Sequence, residues 1–171
     1  AEIAVKASQT GHLVLSTLHT NSALDAFTRL IDMGVEPFLV AAPLRAVQAQ
    51  RLVRRLCPEC SKPGSTPELW SEKLQSIFNK LYPEQKLMWK QATGCANCHQ
   101  TGYRGRVGIY ELIPVTEALR HLIAKNSTHQ ELFLQVEKEG FRNIRDDGLL
   151  KAALGLTTVD EIIRVSMNQG L

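Results

Sequence analysis

The sequence has few aromatic residues, little excess of either charge sign, and no apolar run long enough to cross a membrane. Aromatic residues make up 6% of the 171 residues, and the formal net charge is +3. These values do not by themselves indicate a nucleic-acid or membrane partner. Apolar residues at 44% and charged residues at 22% are ordinary for a globular chain. The chain can therefore build a hydrophobic core, and its length suits one domain or slightly more.

Four cysteines are the strongest signal in the chain, and they come in two pairs. Each pair has the spacing Cys-x-x-Cys, and 34 residues lie between the pairs. Each spacing spans one tight turn, so both sulfurs of a pair can face one atom. Two such turns supply the tetrahedral thiolate set of a structural zinc site, with no coordination position left for chemistry. We therefore predict that Zn²⁺ is bound by Cys57, Cys60, Cys95 and Cys98.

Other uses of the cysteines remain open from the sequence. Two disulfides would require an oxidising compartment. A thioredoxin-like redox site would use a single Cys-x-x-Cys pair at a helix N-terminus after a strand, so one pair would have no role. His99 directly follows Cys98 and could compete as a ligand, although four thiolates already complete a zinc shell.

Basic residues are concentrated beside both cysteine pairs. A zinc ion with four thiolates carries a formal charge of about −2, and nearby cations stabilise thiolates. The basic cluster thus either balances this charge or binds an external group, such as a phosphate, an acidic lipid or an acidic protein. Its members are Arg51, Arg54, Arg55, Lys62, Arg104 and Arg106.

Hydrophobic periodicity predicts an α/β arrangement at the start of the chain. Residues 1–9 have the pattern of a helix, and residues 12–19 form a short apolar run bounded by turn signals. Such a run is typical of a buried strand in a parallel sheet. Ligand sites in α/β folds lie at the carboxyl ends of strands. His19 stands at that end of the predicted strand, whereas His12 stands at its beginning.

The rest of the chain alternates capped helices with two further strands. Pro67 follows Thr66 as a typical first helical residue, and an apolar stripe that includes Trp70 comes after it. We expect this stripe to form a small local core near the zinc. The last helix is predicted to open with a capping box of Thr158 and Glu161. The predicted elements are a helix from Ser22 to Gly34, a short helix at 37–42, strands at 47–56 and 106–114, and helices opening at Thr66, Thr116, Thr128, Asp146 and Thr158.

The sequence does not decide which face of the strand predicted at 106–114 is buried. One possible inward face carries Val107, Ile109 and Ile113, and the other carries Tyr110 and Leu112. Alternate residues of a strand point to opposite sides, so only one of these sets can lie in a core.

Residues 10–21 read Thr-Gly-His-Leu-Val-Leu-Ser-Thr-Leu-His-Thr-Asn. This segment resembles the His box of the secretion ATPase family, which powers type II secretion and type IV pilus assembly. Further similar stretches lie at 1–5, 50–60, 94–112 and 146–162, so the resemblance covers essentially the whole chain. The paired cysteines resemble those of the assembly and type II secretion ATPases, whereas the retraction ATPases of the pilus system generally lack them.

The resemblance implies a hexameric ATPase on the cytoplasmic face of the inner membrane of a bacterium. ATP hydrolysis would move an inner-membrane platform protein, which drives the addition of pilin or pseudopilin subunits. His19 would sense the γ-phosphate of the nucleotide, and His12 would support it. ATP and Mg²⁺ would be cofactors of the full-length parent, Zn²⁺ would be structural, and no specific nucleic acid is expected as a partner.

The fold class that the resemblance implies is α/β, as the C-terminal part of a RecA-like ATPase core with an inserted tetracysteine zinc subdomain and a helical C-terminal region. Within this reading, residues 1–56 belong to the core and residues 57–98 form the zinc subdomain. Residues 99–115 supply a return strand of the core, and residues 116–171 form the helical region.

Two motifs of the family are missing from this chain. A phosphate-binding loop needs G-x-x-x-x-G-K-[ST], whose backbone N–H groups and lysine hold phosphates, and no Gly-Lys pair occurs in the sequence. No Walker B strand with a terminal acidic residue precedes the His box either. In the family both lie just upstream of the matched region. We therefore expect a C-terminal part of the ATPase that has no cofactor-binding residues for ATP and no hydrolysis on its own.

Two other functions stay open. A stand-alone zinc-ribbon module would bind protein or nucleic acid through the basic flank, and nucleic-acid binding would weaken steeply with salt. Against nucleic acid, no aromatic residue lies within the arginine-rich run at 51–55. Alternatively, the zinc subdomain is the docking surface for the membrane platform, which is compatible with the motor reading.

Overall fold

The structure, a computed structural model, describes residues 1–166 of the chain. These residues divide into two compact units. Unit 1 consists of Ala1–Ala49 and Glu111–Arg142, and unit 2 consists of Gln50–Tyr110 and the chain from Asn143 onward. Each unit therefore joins two stretches that are distant in sequence.

The described residues contain helices and strands in mixed order. In chain order the elements are α1 (Glu2–Gln9), α2 (Asp25–Asp32), α3 (Pro37–Ala41), β1 (Ala46–Leu56), β2 (Lys62–Pro63), α4 (Glu72–Leu81), β3 (Lys90–Gln91), a 3₁₀ turn (Ala96–Cys98), β4 (Tyr103–Pro114), α5 (Glu117–Ala124), α6 (His129–Lys138), α7 (Ile144–Ala153) and α8 (Val159–Ser166). Strands β1 and β4 form one two-stranded sheet, and β2 pairs antiparallel with β3 in another. Helices α1–α3, α5 and α6 lie in unit 1, and α4, α7 and α8 lie in unit 2.

Local capping signals in unit 1 are confirmed. The Ser22 hydroxyl accepts the N–H of Asp25 at 3.1 Å, and the Asp25 carboxylate accepts the N–H of Ser22 at 3.0 Å. Thr116 and Thr128 likewise accept backbone N–H groups three residues further on. Gly34 takes a φ of +86° just after α2, which is the left-handed conformation that ends many helices at a glycine. Helices α5 and α6 therefore begin directly after Thr116 and Thr128 as predicted, whereas α2 begins at Asp25, three residues after Ser22.

The buried strand predicted at 12–19 is wrong. The segment has no strand conformation, and the side chains of Leu13 and Leu15 are 85% and 88% exposed. A strand of a parallel sheet becomes buried only when other strands and covering helices surround it. Within residues 1–166 no strand pairs with this segment. An apolar composition alone therefore does not produce a strand here.

Helix α4 begins later than predicted. Its cap is Ser71, whose hydroxyl accepts the N–H of Leu74 at 3.3 Å, and not Thr66. Pro67 instead belongs to a separate turn, because its carbonyl accepts the N–H of Trp70 at 3.0 Å. Two cap-like signals compete in this stretch, and Ser71, directly before α4, is the one that caps the helix.

Helix α7 begins before its predicted start, whereas α8 begins directly after Thr158 as predicted but lacks half of its predicted capping box. Helix α7 begins two residues before Asp146, because Asn143 caps it by accepting the N–H of Asp146 at 2.8 Å. At α8 the Thr158 hydroxyl accepts the N–H of Glu161 at 3.2 Å, which is half of the predicted capping box. The carboxylate of Glu161 binds elsewhere, as described below.

The core of unit 1 is built from its helices and from the ends of the two long strands that belong to this unit. Phe27 of α2, Ile113 of β4 and Leu119 of α5 are fully buried in one cluster. Arg120 fastens α5 to the end of α3, since its guanidinium donates to the carbonyls of Ala41 and Ala42. The other buried members are Ala23, Leu24, Val35, Val40, Ala41, Ala49, Val115, Ile123 and Leu132.

In unit 2 the stripe of α4 packs against the C-terminal helices. Leu74 shares a cluster with Leu149, and Phe78 shares a cluster with Leu150. The rings of Trp70 and Trp89 meet edge to face with centroids 5.0 Å apart, so both tryptophans act as packing residues. The segment between the cysteine pairs is thus part of a shared core and does not form a local core of its own.

Strand β4 resolves the open question of its buried face. Ile109 and Ile113 are fully buried, and Tyr110 and Leu112 are 40% and 51% exposed. The first of the two alternatives is therefore correct.

None of the helices within residues 1–166 has the length and apolar character needed to cross a membrane.

Candidate metal centre and histidine groove

The two cysteine pairs come together in unit 2 as predicted. All four sulfur atoms lie within 4.8 Å of one another. The Sγ–Sγ distances are 3.9 Å for Cys57 and Cys95, 3.8 Å for Cys60 and Cys98, and 3.7 Å for Cys95 and Cys98. A tetrahedron with Zn–S bonds of about 2.3 Å has edges of about 3.8 Å. The four sulfurs therefore have the spacing of a metal-thiolate site, and all four cysteines are free of disulfides.

Tight turns bring the sulfurs to one point. Cys57 follows strand β1 directly and donates its N–H to the carbonyl of Gly102 at 2.9 Å. Cys98 ends the 3₁₀ turn, and both Cys57 and Cys98 are buried. Gly102 has a φ of +77°, and a Cβ added there would lie 2.7 Å from the Cβ of Ala92. The exit from the second pair thus has room for glycine only.

Backbone N–H groups point at the sulfur of Cys98. The N–H groups of Cys95 and Gly102 each donate to it at 3.2 Å. Burial raises the pKa of Cys98, but these donors and the neighbouring sulfurs outweigh burial and lower the pKa to about 6. Burial dominates at Cys95 and raises the pKa of that thiol to about 11. The protein thus stabilises the thiolate of Cys98 with its own backbone N–H groups.

The basic cluster beside the cysteines is not uniform. The Arg54 guanidinium donates to the carboxylate of Glu161 at 2.8 Å and lies 4.1 Å above the ring of Tyr103. Arg54 therefore has an internal partner in Glu161. Four other members are exposed, namely Arg55, Lys62, Arg104 and Arg106.

The second candidate region lies in unit 1, where His19 lines an open groove of about 530 Å³. The groove also has a carboxylate at each end of α2 and the guanidinium of Arg29 between them. His12 does not line the groove, and its Nδ1 lies 3.0 Å from the Thr10 hydroxyl. The structure therefore does not bring the two histidines into one site. The residues lining the groove are His19, Thr20, Asn21, Asp25, Thr28, Arg29 and Asp32.

A residue that the sequence did not indicate contacts this groove. His129, the first residue of α6, has its Nε2 3.3 Å from a carboxylate oxygen of Asp25. The other carboxylate oxygen of Asp25 accepts the N–H of Ser22 in the turn before α2. Asp25 thus joins the groove to α6, across a separation in sequence that no local pattern reveals.

Residues 1–164 match the family model described as type II/IV secretion system protein. This chain belongs to that family. The type II secretion system protein E of Pseudomonas aeruginosa is 49% identical over 169 residues, which cover 99% of this chain and 32% of that protein. The type II secretion system ATPase E of Vibrio cholerae is 46% identical over 166 residues, covering 97% of this chain and 32% of that protein. The type IV pilus assembly ATPase PilB of P. aeruginosa is 43% identical over 169 residues, covering 97% and 29%.

The fold is similar to that of a solved motor protein. The crystal structure of the pilus retraction motor PilT with bound ADP matches 96% of this chain and 35% of that chain, with a TM-score of 0.58 and 22% identity. Together with the four clustered cysteines, this likeness confirms the predicted α/β fold class with a tetracysteine motif. This chain spans about a third of the length of the curated relatives it matches.

Proposed function

We propose that this chain works as part of an ATPase that powers type II secretion or type IV pilus assembly. One observation carries the proposal: relatives with these roles are 43–49% identical over 97–99% of the chain. The full protein would act as a hexamer at the cytoplasmic face of the inner membrane and would move a platform protein there.

The groove in unit 1 is the part of this chain that we assign to the nucleotide. His19 lies at the groove beside hydroxyl, amide and guanidinium groups. Phosphate oxygens accept hydrogen bonds from groups of these kinds. In this proposal His19 senses the γ-phosphate. His12 lies outside the groove and supports the segment that joins it to His19. The phosphate-binding loop and the Mg²⁺ ligands belong to the remainder of the ATPase, because this chain has no Gly-Lys pair.

The tetracysteine cluster is the part that we assign to structural Zn²⁺. A set of four thiolates at these distances leaves no open coordination position, and thiolate ligands favour zinc among the common divalent ions. The metal would hold the end of β1 to the turn before β4. It would take no part in ATP hydrolysis.

A chimera tests the proposed function. The matched segment of type II secretion protein E of P. aeruginosa is replaced by this chain, and ATP hydrolysis of the purified chimera and secretion by a strain lacking the native protein are measured. We expect both activities. A parallel chimera with PilB, assayed for pilus assembly, distinguishes the two roles. A folded chimera that neither hydrolyses ATP nor restores either process contradicts the proposal.

Two histidine variants of the same chimera test the assignment of the groove. His19→Ala should lower the hydrolysis rate by about 100-fold, the usual loss when one preorganised donor to a reacting oxyanion is removed. His121→Ala is the matched control, because His121 is exposed on α5 and does not line the groove. Equal rates for the two variants would contradict the role of His19.

A further inference from the structure

Glu161 is a buried carboxylate. Its sequence position suits a capping box at the start of α8, but its carboxylate does not cap that helix, and it does not line the groove. Its side chain is fully buried, and five N–H donors surround its two oxygens. Two come from the guanidinium of Arg164, at 3.0 and 2.6 Å. The other three come from Arg54, through its backbone N–H at 3.0 Å and its guanidinium at 3.0 and 2.8 Å. Charge-assisted contacts of this kind are short, directional and strong.

The strand that Glu161 holds is the one that leads to the metal centre. Arg54 lies three residues before Cys57, and further bonds fasten the same stretch to the turn before α8. The Thr157 hydroxyl donates to the carbonyl of Arg54 at 2.8 Å, and the N–H of Leu56 donates to the carbonyl of Leu156 at 2.9 Å. The end of β1 is thus bonded at both Arg54 and Leu56 to the segment that leads to Glu161.

The exit from the second cysteine pair is fastened to the same turn. The hydroxyl of Tyr103 lies 2.9 Å from the hydroxyl of Thr158, and the Tyr103 ring lies beneath the Arg54 guanidinium. Tyr103 follows Gly102, which donates to the Cys98 sulfur and accepts from the N–H of Cys57. Both approaches to the cluster therefore depend on one carboxylate and its turn, which lie about a hundred residues further along the chain than Cys57.

We propose that Glu161 is a positioning residue for the tetracysteine metal site. It fixes Arg54 and the end of β1, so that the Cys57 sulfur stays at its corner of the tetrahedron. Groups behind the ligands that orient them typically change metal affinity by about 10- to 100-fold when they are removed. The inference rests on the proposed zinc assignment, and the experiment below therefore measures metal content before it measures metal release.

The test uses the 171-residue chain loaded with zinc, and it compares Glu161→Gln with Arg164→Gln. Glu161→Gln keeps the shape of the side chain but loses the charge that holds Arg54. Arg164→Gln removes the other guanidinium at the same carboxylate, and the hydrogen bonds that it removes run to Glu161 and not to β1. The rate of zinc transfer to an excess of a chromogenic chelator is measured, with circular dichroism as the check on folding.

We expect zinc release about 10- to 100-fold faster from Glu161→Gln and a rate near that of the wild type from Arg164→Gln. With Co²⁺ in place of zinc, the d–d absorption bands of the tetrahedral thiolate site should shift in Glu161→Gln and not in Arg164→Gln. If Glu161→Gln loses helical structure, the nearly isosteric Thr157→Val, which removes only the bond to the Arg54 carbonyl, should give a smaller increase in rate.

Three results would overturn the proposal. Unchanged release from a folded Glu161→Gln shows that the carboxylate does not position the ligand. Equal acceleration in Glu161→Gln and Arg164→Gln, with an unshifted Co²⁺ spectrum, shows general loosening of unit 2. A wild-type chain that holds no metal removes the zinc assignment itself, which the initial metal analysis reveals separately from either kinetic result.

Discussion

Gly102→Ala should destabilise unit 2 far more than Gly105→Ala, although the two glycines have almost the same backbone conformation. Their φ values are +77° and +79°, so alanine at either position has to occupy the left-handed region, at about 1–2 kcal/mol. Only Gly102 is also crowded. A Cβ there meets the Cβ of Ala92 at 2.7 Å and the backbone nitrogen of Thr93 at 3.1 Å. At Gly105 no atom of the described residues lies within 4 Å of the added Cβ.

Overpacking of this kind adds about 1–3 kcal/mol. The free energy of unfolding should therefore fall by about 2–5 kcal/mol in Gly102→Ala, the sum of the conformational and steric costs, and by about 1–2 kcal/mol in Gly105→Ala. Gly102 also donates to the Cys98 sulfur, so any displacement of this turn acts on the metal centre directly.

Urea unfolding followed by tryptophan fluorescence measures this difference. The chain has two tryptophans, Trp70 and Trp89, and both lie in the core of unit 2, so the signal reports the unit that contains the substitution. Both proteins are compared with zinc bound and with zinc removed. Equal losses of stability in the two variants would refute the close approach at Gly102 as the cause.

Three further predictions address other parts of the chain. Although burial raises it, the contacts with Arg164 and Arg54 lower the pKa of Glu161 to about 2, so the ionised carboxylate contributes stability that is fully present above about pH 4.5 and is lost as the pH falls towards 2. In acid-unfolding curves, metal-free wild-type protein should therefore lose more stability over that range than metal-free Glu161→Gln. Parallel curves for the two proteins would contradict this prediction. Arg120→Ala should destabilise unit 1 by about 1–3 kcal/mol, because the carbonyls of Ala41 and Ala42 lose a charged donor; circular dichroism during urea unfolding measures this loss, with exposed Lys125→Ala as the control. The 171-residue chain alone should release no phosphate from ATP in a coupled assay, since it has no phosphate-binding loop, and any turnover above background would contradict that assignment.

Features governed by neighbouring residues could be predicted from the sequence. The cysteine spacing indicates a shared site because each pair needs only one turn, and the four sulfurs do converge. Thr116 and Thr128 cap their helices because a cap needs only an N–H three residues away. The predicted start of α4 is wrong because two cap-like signals, Thr66 and Ser71, lie five residues apart. Short-range chemistry suits both, so the sequence alone does not select the one that caps the helix.

Features governed by distant partners could not be predicted in this way. The run at 12–19 has the composition of a buried strand, but burial depends on strands elsewhere, and Leu13 and Leu15 are exposed. Glu161 has the spacing of a capping box, yet its carboxylate binds Arg54, which lies 107 positions earlier in the chain. The one sequence signal for this contact is a glutamate near an arginine-rich strand, and nothing local selects that pair over others.

The metal content of the purified chain tests the tetracysteine centre, around which unit 2 is organised, most directly. Protein prepared without added metal is analysed for zinc, and its reactive thiols are titrated before and after chelation. We predict about one zinc per chain, with the four thiols masked until the metal is removed. Protein that carries no zinc and titrates as four free thiols from the start would contradict the assignment of Cys57, Cys60, Cys95 and Cys98 as the ligands of a structural metal site.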